Sequence, residues 1–135
     1  MIQKTTPEDE NKIHELKKAF VFLRQDGVIQ IDTKTTEEYS VEDAKEVTTI
    51  IQKIGKGKKF PVLMIVKNYM DVDKETRKFY GSKEATINKI AEAFVINSSA
   101  LKIIANFYIR IEKPNIPSKI FTNTEDAITW LKTFM

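Results

Sequence analysis

The length of the chain, 135 residues, fits one domain, because most domains contain about 100–150 residues and a second core would have little room. Hydrophobic residues make up 41% and charged residues 30%, a balance that excludes a disordered tail, a collagen-like fibre or a membrane protein and indicates a globular domain. The net charge is +3, but only three of the 22 basic residues are arginine, on which nucleic-acid readers depend, so nucleic acid is not a predicted partner.

The sequence contains no cysteine, which excludes disulfide scaffolds, zinc ribbons, iron–sulfur sites and thiol nucleophiles. Its first residues lack the apolar run of a signal peptide, and no apolar stretch approaches the ~20 residues that span a bilayer. We therefore expect a cytoplasmic protein without a membrane span. Residues 1–12 are polar and include an acidic run, so we predict a mobile N-terminal arm within a single domain of residues 1–135.

The first predicted elements are a β-hairpin and a helix. Residues 19–23 and 28–32 have strand-like patterns on either side of Asp26-Gly27, a two-residue turn signal. Ser40 is a good N-cap for a helix that Gly55 is expected to stop. Apolar residues recur between these two positions at helical spacing and predict one core-facing side: Val41, Ala44, Val47, Ile50, Ile51 and Ile54.

The middle of the chain predicts a buried strand, a broken helix and a second strand. Residues 61–66 form a short apolar run typical of a parallel strand, and the GKGKK segment before it is predicted to be a solvated connector, because it lacks the spacing of a phosphate-binding loop. Residues 71–89 predict one broken or two short helices with the break at Gly81-Ser82, and residues 93–96 predict the next strand. Three apolar side chains are expected to face inward: Phe79, Ile87 and Ile90.

A helix, a strand and a closing helix complete the predicted fold. Residues 97–99 (Asn-Ser-Ser) are expected to cap a helix that runs to about Glu112, after which two prolines forbid its continuation. Residues 118–122 predict the last strand, and Thr124 is the expected N-cap of the closing helix. Because strands and helices alternate after the hairpin, we predict an α/β fold with a mixed, mostly parallel sheet of about five strands and four to five helices.

The sequence shows no catalytic apparatus. Its one histidine, His14, lies in a polar segment and is expected to be a solvated surface residue. Asp71 and Asp73, with Glu75 nearby, could hold a cation, but acids at the start of a helix more often cap it and interact with the positive end of its dipole. We therefore predict no metal, no cofactor and no enzymatic activity.

Polar residues follow two of the predicted strands, at the edge of an open α/β sheet where ligands gather. Four follow the first of these strands and three follow the second: Asn68, Tyr69, Asp71, Asp73 and Asn97, Ser98, Ser99. Polar caps are also what any α/β fold requires, and no base is available to activate a hydroxyl. We therefore predict that Ser98 and Ser99 are structural caps.

Residues 93–131 resemble a known family. Within this stretch the run NFYIRIEKPNIPSKIFTNTEDAITWL, with its proline pair and Ala-x-x-Trp-Leu closing helix, looks like the tail of the bacterial STAS/CRAL-TRIO-like proteins, relatives of the anti-sigma-factor antagonist (STAS) domains. The order of elements over residues 16–135 is similar to the SpoIIAA-like fold, and the first half matches in pattern more than in residues. The resemblance implies a SpoIIAA-like sheet in a bacterial protein.

The resemblance to STAS domains implies partner binding without catalysis, switched by phosphorylation of a serine in a pattern close to Asp-Ser-Ser-Gly. Over residues 70–74 this chain reads Met-Asp-Val-Asp-Lys, so Asp71 matches the acid while Val72 and Asp73 occupy the serine positions. The phosphoacceptor is therefore missing. Asp73 could supply a fixed negative charge in place of a phosphate. Its charge is about −1, whereas a phosphoserine carries roughly −1.5 to −2, so we favour the interpretation that the phosphorylation switch has been lost.

Two classes of function remain open. The first, favoured by the lack of catalytic apparatus, is a regulatory module that binds an unknown protein through the edge from Asp71 to Arg77. Its candidate residues are Asn68, Tyr69, Asp71, Asp73 and Arg77. The second, implied by the CRAL-TRIO branch, is a small-molecule or lipid-binding domain, and a lipid would need an apolar pocket of several hundred Å3. An uncharacterised enzyme ranks third.

The helix that begins at Ser99 predicts a contact between subunits. Its polar side chains between residues 100 and 111 form one narrow stripe: Lys102, Asn106 and Arg110. We expect the sheet to cover one apolar flank, made of Ala100, Ile103, Phe107 and Ile111. The second flank is then covered by the closing helix and the Pro114–Pro117 loop, or it forms a two-fold homodimer contact; its residues are Leu101, Ala105, Tyr108 and Ile109.

Overall fold

The computed structural model describes residues 12–135, so the predicted N-terminal arm lies, except for its last residue, outside the described residues. The strands are β1 (His14–Glu15), β2 (Ala19–Leu23), β3 (Ile29–Thr33), β4 (Phe60–Val66), β5 (Lys89–Ile96) and β6 (Ser118–Phe121). The α-helices are α1 (Val41–Gly55), α2 (Lys74–Tyr80), α3 (Lys83–Thr86), α4 (Ser99–Phe107) and α5 (Thr124–Lys132), and a π-helical turn (Tyr108–Glu112) continues α4. None of the helices in the described range has both the length and the apolar composition needed to cross a bilayer.

The strands form one sheet in which their spatial order is their order along the chain. Neighbouring strands from β1 to β3 are antiparallel, and neighbouring strands from β3 to β6 are parallel. The predicted α/β fold with a mixed, mostly parallel sheet is therefore confirmed. The additional strand is β1, whose two residues are too few to produce an alternating pattern in the sequence.

Helices cover both faces of the sheet, but unequally. In β4, Val62 and Met64 point into a large apolar cluster with α1, α2 and α4, whereas Leu63 between them points into a smaller cluster on the opposite face. The smaller cluster is completed by Ala127 and Leu131 of α5, which packs against β4, β5 and β6. The larger cluster holds the features that bear on function.

Capping side chains begin the helices, as the sequence predicts for Ser40. The Ser40 hydroxyl accepts a hydrogen bond from the Asp43 backbone N–H at 3.3 Å, and the Ser40 backbone N–H donates to the Asp43 carboxylate at 2.8 Å. This reciprocal arrangement is a capping box. For α5 the predicted cap was wrong by one position: Asn123, not Thr124, accepts from the Asp126 backbone N–H at 2.8 Å.

Several predicted boundaries differ from the structure. The connection between β2 and β3 is longer than a two-residue turn, because the Arg24 N–H donates to the Val28 carbonyl at 2.8 Å around Gly27, whose φ is +88°. Gly55 is the last residue of α1, and the left-handed C-cap position is taken by Lys56, whose φ is 49°.

The start of β5 and the position of Ile87 were also predicted incorrectly. β5 begins at Lys89, four residues before the predicted strand, because Lys89 and Glu92 neutralise each other and so both fit in a buried strand. Ile87 is 55% exposed, since it lies beyond the end of α3 and outside its helical spacing.

The two apolar flanks of α4 are the reverse of those predicted. Leu101 and Tyr108 are only 5% and 6% exposed, and Ala105 and Ile109 pack against the same core. The assignment of Leu101, Ala105, Tyr108 and Ile109 to a homodimer contact is therefore wrong. Helical spacing defines two equivalent flanks, and the choice between them is made by tertiary packing: the Tyr108 ring lies edge-on to Phe94 of β5, with 6.0 Å between their centroids.

Candidate functional site

The predicted site residues lie between the carboxyl end of β4 and the first turns of α2, and local contacts hold several of them. The Asn68 side chain donates to the Thr35 hydroxyl at 3.1 Å. Asp71 hydrogen-bonds through its N–H and its carbonyl to the backbone of residues 37–39, at 2.8 and 2.9 Å. Tyr69 is 48% exposed. A short backbone bridge therefore ties this edge to the segment before α1.

Asp73 is the N-cap of α2, so the capping role predicted for this acid is confirmed. One of its carboxylate oxygens accepts hydrogen bonds from the Thr76 hydroxyl at 2.7 Å and from the Thr76 backbone N–H at 2.8 Å. These bonds, helped by the charge of Arg77, hold the pKa of Asp73 below its ordinary value. Across residues 12–135 no three histidine, aspartate or glutamate side chains converge closely enough to hold a metal ion.

Of the two serines predicted to cap α4, Ser98 is confirmed as the cap and Ser99 is not. The Ser98 hydroxyl accepts from the Leu101 backbone N–H at 3.2 Å and is the N-cap of the helix. Ser99 is the exposed first residue of the helix and does not supply the cap. His14 lies in β1, and partial burial together with the charges of Lys12 and Lys53 lowers its pKa.

A cavity of about 80 Å3 lies in the larger apolar cluster, between β4 and β5 on one side and α2 and α4 on the other. Its wall contains the rings of Tyr80, Phe94 and Tyr108, whose centroids are 6.0 to 6.3 Å apart. Four wall residues are only half-buried and place the opening of the cavity between α2 and α4: Val72, Arg77, Ile104 and Ala105. Of the five predicted site residues, only Arg77 lines this cavity.

A buried ion pair lies beside the cavity. Lys89 Nζ is 2.8 Å from Glu92 Oε1, and the two side chains are 0% and 2% exposed. The Tyr80 hydroxyl donates to the other oxygen of Glu92, and Lys89 Nζ lies 3.9 Å from the centroid of the Tyr80 ring. Burial, and then the charge of Glu92, raises the pKa of Tyr80 well above its ordinary value. The Tyr80 hydroxyl therefore keeps its proton and acts as a hydrogen-bond donor.

Two polar groups of the cavity wall residues have no hydrogen-bond partner. Within residues 12–135, the buried side-chain atoms without a hydrogen-bond partner are the Tyr39 hydroxyl and Arg77 Nε, and both residues line the cavity. One terminal nitrogen of the Arg77 guanidinium donates to the Val72 carbonyl at 2.6 Å. Nε lies 3.9 Å from the Glu112 carboxylate, which is close enough for an ion pair but not for a hydrogen bond. Burial raises the pKa of Tyr39, so its hydroxyl keeps its proton. Unpaired buried donors are rare in folded proteins and call for an explanation.

Three large apolar side chains on α4 and the π-helical turn form an exposed row, which we call the apolar stripe. Ile103, Phe107 and Ile111 are 72%, 48% and 62% exposed. In the π-helical turn the Lys113 N–H donates to the Tyr108 carbonyl, five residues earlier, at 3.2 Å. This wider turn brings Ile111 back towards the line through Ile103 and Phe107, from which an α-helix would carry it away.

The apolar stripe has basic neighbours. Between Ser98 and Lys119 the acidic residue is Glu112, whose side chain is 9% exposed and faces Arg77. The basic residues of this segment are Lys102, Arg110, Lys113 and Lys119. The Arg77 guanidinium borders the stripe, since it lies 5.7 Å from the centroid of the Phe107 ring. The surface therefore combines exposed apolar area with positive charge.

Sequence reasoning missed the cavity and the ion pair. The predicted broken helix ran to residue 89, which separated Lys89 from the strand that it begins. The signal that could have found the pair is Glu92, because a charged residue inside the apolar run KIAEAFVI needs a buried partner of opposite charge. No sequence signal marks Tyr39, whose neighbours are polar.

Comparison with known proteins identifies a family to which the chain belongs and a solved structure to which it is similar. Residues 22–135 match the family model described as "Domain of unknown function (DUF7793)". No curated protein matches the chain. A crystal structure of a protein with unknown function from Arthrobacter sp. FB24 is 19% identical, with a TM-score of 0.30, and the match covers 83% of this chain and 97% of that chain. A likeness at this TM-score supports no argument, and the resemblance to STAS domains stays a prediction.

Proposed function

This chain belongs to the DUF7793 family, whose description assigns no function, and we propose that it is a non-enzymatic module that binds an acidic protein partner through the apolar stripe. The observation that carries the proposal is the exposure of Ile103, Phe107 and Ile111 in one row beside basic side chains. Contiguous apolar surface on a small domain marks an interaction site, and rim charges select the partner.

The charge of the surface favours a different protein over a second copy of this chain. A two-fold contact places the same patch on both subunits, so Lys102, Arg110 and Lys113 of one copy would meet those of the other. Like charges across an interface oppose association, whereas an acidic segment with apolar side chains complements both properties of the surface. The proposal therefore departs from the homodimer predicted from the sequence.

The proposed contact lies beside the predicted edge from Asp71 to Arg77. Arg77 belongs to both regions, because its guanidinium packs on Phe107. Asp73 caps its own helix, which supports the interpretation that it does not replace a regulatory phosphate. A regulatory role of the STAS type, a bacterial source and a cytoplasmic location stay predictions.

The lipid-binding alternative receives less support. A lipid site needs an apolar pocket of several hundred Å3, and the cavity of about 80 Å3 is too small for an acyl chain.

Photo-crosslinking can test the proposal in the full chain. Phe107 is replaced by photoreactive benzoylphenylalanine in the native host, and the protein linked to it is identified and purified. We then expect Ile103→Glu to raise the Kd for that purified partner by about tenfold or more, because it places a charge in the centre of the contact. We also expect the Kd to rise with ionic strength.

Ile87→Glu is the matched control, since Ile87 is also exposed, at 55%, but lies outside the apolar stripe. This variant should leave the Kd unchanged within about twofold. Crosslinks only between copies of this chain, binding to anionic vesicles in place of a protein, or equal effects of the two variants would each contradict the proposal.

A further inference from the structure

The opening of the cavity adjoins the apolar stripe. Ile104 at the opening directly follows Ile103 of the stripe, and Arg77, which also lines the cavity, packs on the Phe107 ring. A partner that covers the stripe therefore also reaches the opening between α2 and α4.

The chemistry of the cavity selects an apolar occupant. Its accessible lining is entirely apolar, and its wall includes Met64, Val66, Ile96 and Leu101. Such a space holds water poorly, because a buried water needs about two to four polar partners. A polar or charged group would lose its hydration there without compensation.

The volume of the cavity selects the size of the occupant. An apolar cavity of about 150 Å3 holds benzene with its six carbon atoms, so about 80 Å3 holds roughly three or four carbon atoms. This is the size of the end of a leucine, isoleucine, valine or methionine side chain, whereas a phenyl ring is too large.

A side chain of a docked partner fits this space better than a free hydrocarbon does. A free molecule of this size would lose its translational and rotational freedom on binding and would bury little surface in return. A side chain that belongs to a partner already bound at the apolar stripe has lost this freedom beforehand. The position of the opening beside the stripe makes such an insertion possible.

The charges around the opening indicate which kind of segment carries the side chain. On one side, α4 and the π-helical turn carry the basic residues Lys102 and Arg110. On the other side, Asp71 and Asp73 flank Val72 of the cavity wall. Acidic residues of a partner are therefore attracted towards α4 and repelled by the start of α2.

We propose, on the basis of the docking function above, that the partner inserts one aliphatic side chain between α2 and α4 into this cavity, and that acidic residues of the same segment lie over α4. The inserted side chain, which we call the anchor, is a leucine, isoleucine, valine or methionine. Residues that fill a pocket at an interface contribute a large part of the binding energy.

Substitutions on both proteins test the insertion, with the partner that is linked to Phe107 and purified as described above. Each aliphatic residue of the linked segment is replaced by alanine, and one replacement should raise the Kd by about tenfold or more. Ala105→Leu fills the opening and should raise the Kd of the wild-type partner by a similar factor. Thr129→Leu is the matched control, since Thr129 is exposed on α5, on the opposite face of the sheet, and it should leave the Kd unchanged within about twofold.

The effects of the two substitutions should not add. In the Ala105→Leu chain the space for the anchor is already filled, so replacing the anchor by alanine should raise the Kd by less than about twofold. Independent effects of about tenfold each would show that the anchor and the cavity do not meet.

Methyl NMR of the wild-type chain provides a second measurement. The full chain is labelled with 13C at its methionine methyl groups and titrated with the partner. Met64 and Met70 line the cavity, whereas Met135 is 62% exposed and serves as an internal control. We expect the wild-type partner to shift the Met64 and Met70 signals and not the Met135 signal, and the partner with alanine at the anchor to lose these shifts at saturation.

The possible failures are distinguishable. If Ile103→Glu weakens binding but Ala105→Leu and every replacement in the partner leave the Kd unchanged within about twofold, the insertion is overturned and the docking function stands. Absence of shifts at Met64 and Met70 with saturating partner also overturns the insertion. An unchanged Kd for Ile103→Glu contradicts the docking function itself. If Ala105→Leu fails to fold, the NMR titration decides.

Discussion

Lys89 and Glu92 place opposite charges where water has no access. Removing two charges from water is unfavourable, and their attraction offsets this only while both are present and hydrogen-bonded. Tyr80 completes the arrangement by donating to Glu92. The pair also fixes the register of β5, because a shift by one residue would turn Glu92 towards the opposite face of the sheet.

Loss of one partner should therefore be severe. We expect Lys89→Met to lower the free energy of unfolding by about 3–5 kcal/mol, because it leaves the Glu92 carboxylate buried and uncompensated. Urea denaturation at pH 7 measures the change. The control is Lys34→Met, which breaks the exposed Lys34–Glu15 pair and should cost at most about 1 kcal/mol. Equal losses in the two variants would contradict the argument.

Asp43 gives the stability a dependence on pH. Burial alone would raise its pKa, but hydrogen bonds from Ser40 and the charge of Lys18 lower it. A carboxyl group with a lowered folded-state pKa stabilises the fold above its unfolded pKa of about 3.9, and this contribution is lost as the pH falls through the folded-state pKa.

We expect Asp43→Asn to lower the free energy of unfolding by about 0.3–1.5 kcal/mol at pH 7. The difference from the wild type should shrink as the pH falls below about 4, because the unfolded state then takes up a proton that the folded state binds only at a lower pH. Urea midpoints measured from pH 7 to pH 3 provide the comparison. A difference that does not vary with pH would exclude this role for Asp43.

At the scale of elements, α4 shows how one side chain begins a helix. Ser98 accepts from the Leu101 N–H, whereas Ser99 does not supply the cap. We expect Ser98→Ala to lower the free energy of unfolding by about 0.5–2 kcal/mol and Ser99→Ala to change it by less than about 0.5 kcal/mol. Denaturant titrations of the two variants test this difference, and similar losses would show that the cap is not specific to Ser98.

The sequence predicts an element well where local interactions, such as a helix cap, determine its position. It predicts less well which side of an element faces the core, because tertiary packing determines that. Ser40 and the apolar spacing after it predict α1 because caps and periodicity act within a few residues. The flank of α4 that faces the sheet depends on the contact between Tyr108 and Phe94, which belong to different elements and lie 14 positions apart in the sequence. The same limit applies to the cavity, whose wall residues Tyr39 and Arg77 come from separate segments.

At the scale of the whole molecule, β4 and β5 form the centre of the sheet. Each is paired on both sides and covered on both faces, whereas β1 and β6 each have one paired neighbour among residues 12–135. We expect the amide hydrogens of β4 and β5 to exchange most slowly with solvent and those of β1 and β6 most rapidly. Native-state hydrogen exchange followed by NMR tests this order, and equal protection across the sheet would contradict it.

The order of the strands has a consequence for the synthesis of the protein. Because each strand lies beside the one that precedes it in the chain, no strand has to be inserted between two that are already paired. A chain that emerges from the ribosome can add β4, β5 and β6 in turn to an edge that already exists, as domains form from the N-terminus during translation. Each strand edge then lacks a partner only until the next strand leaves the ribosome, whereas the sheet face under α5 stays uncovered until α5 itself has been synthesised.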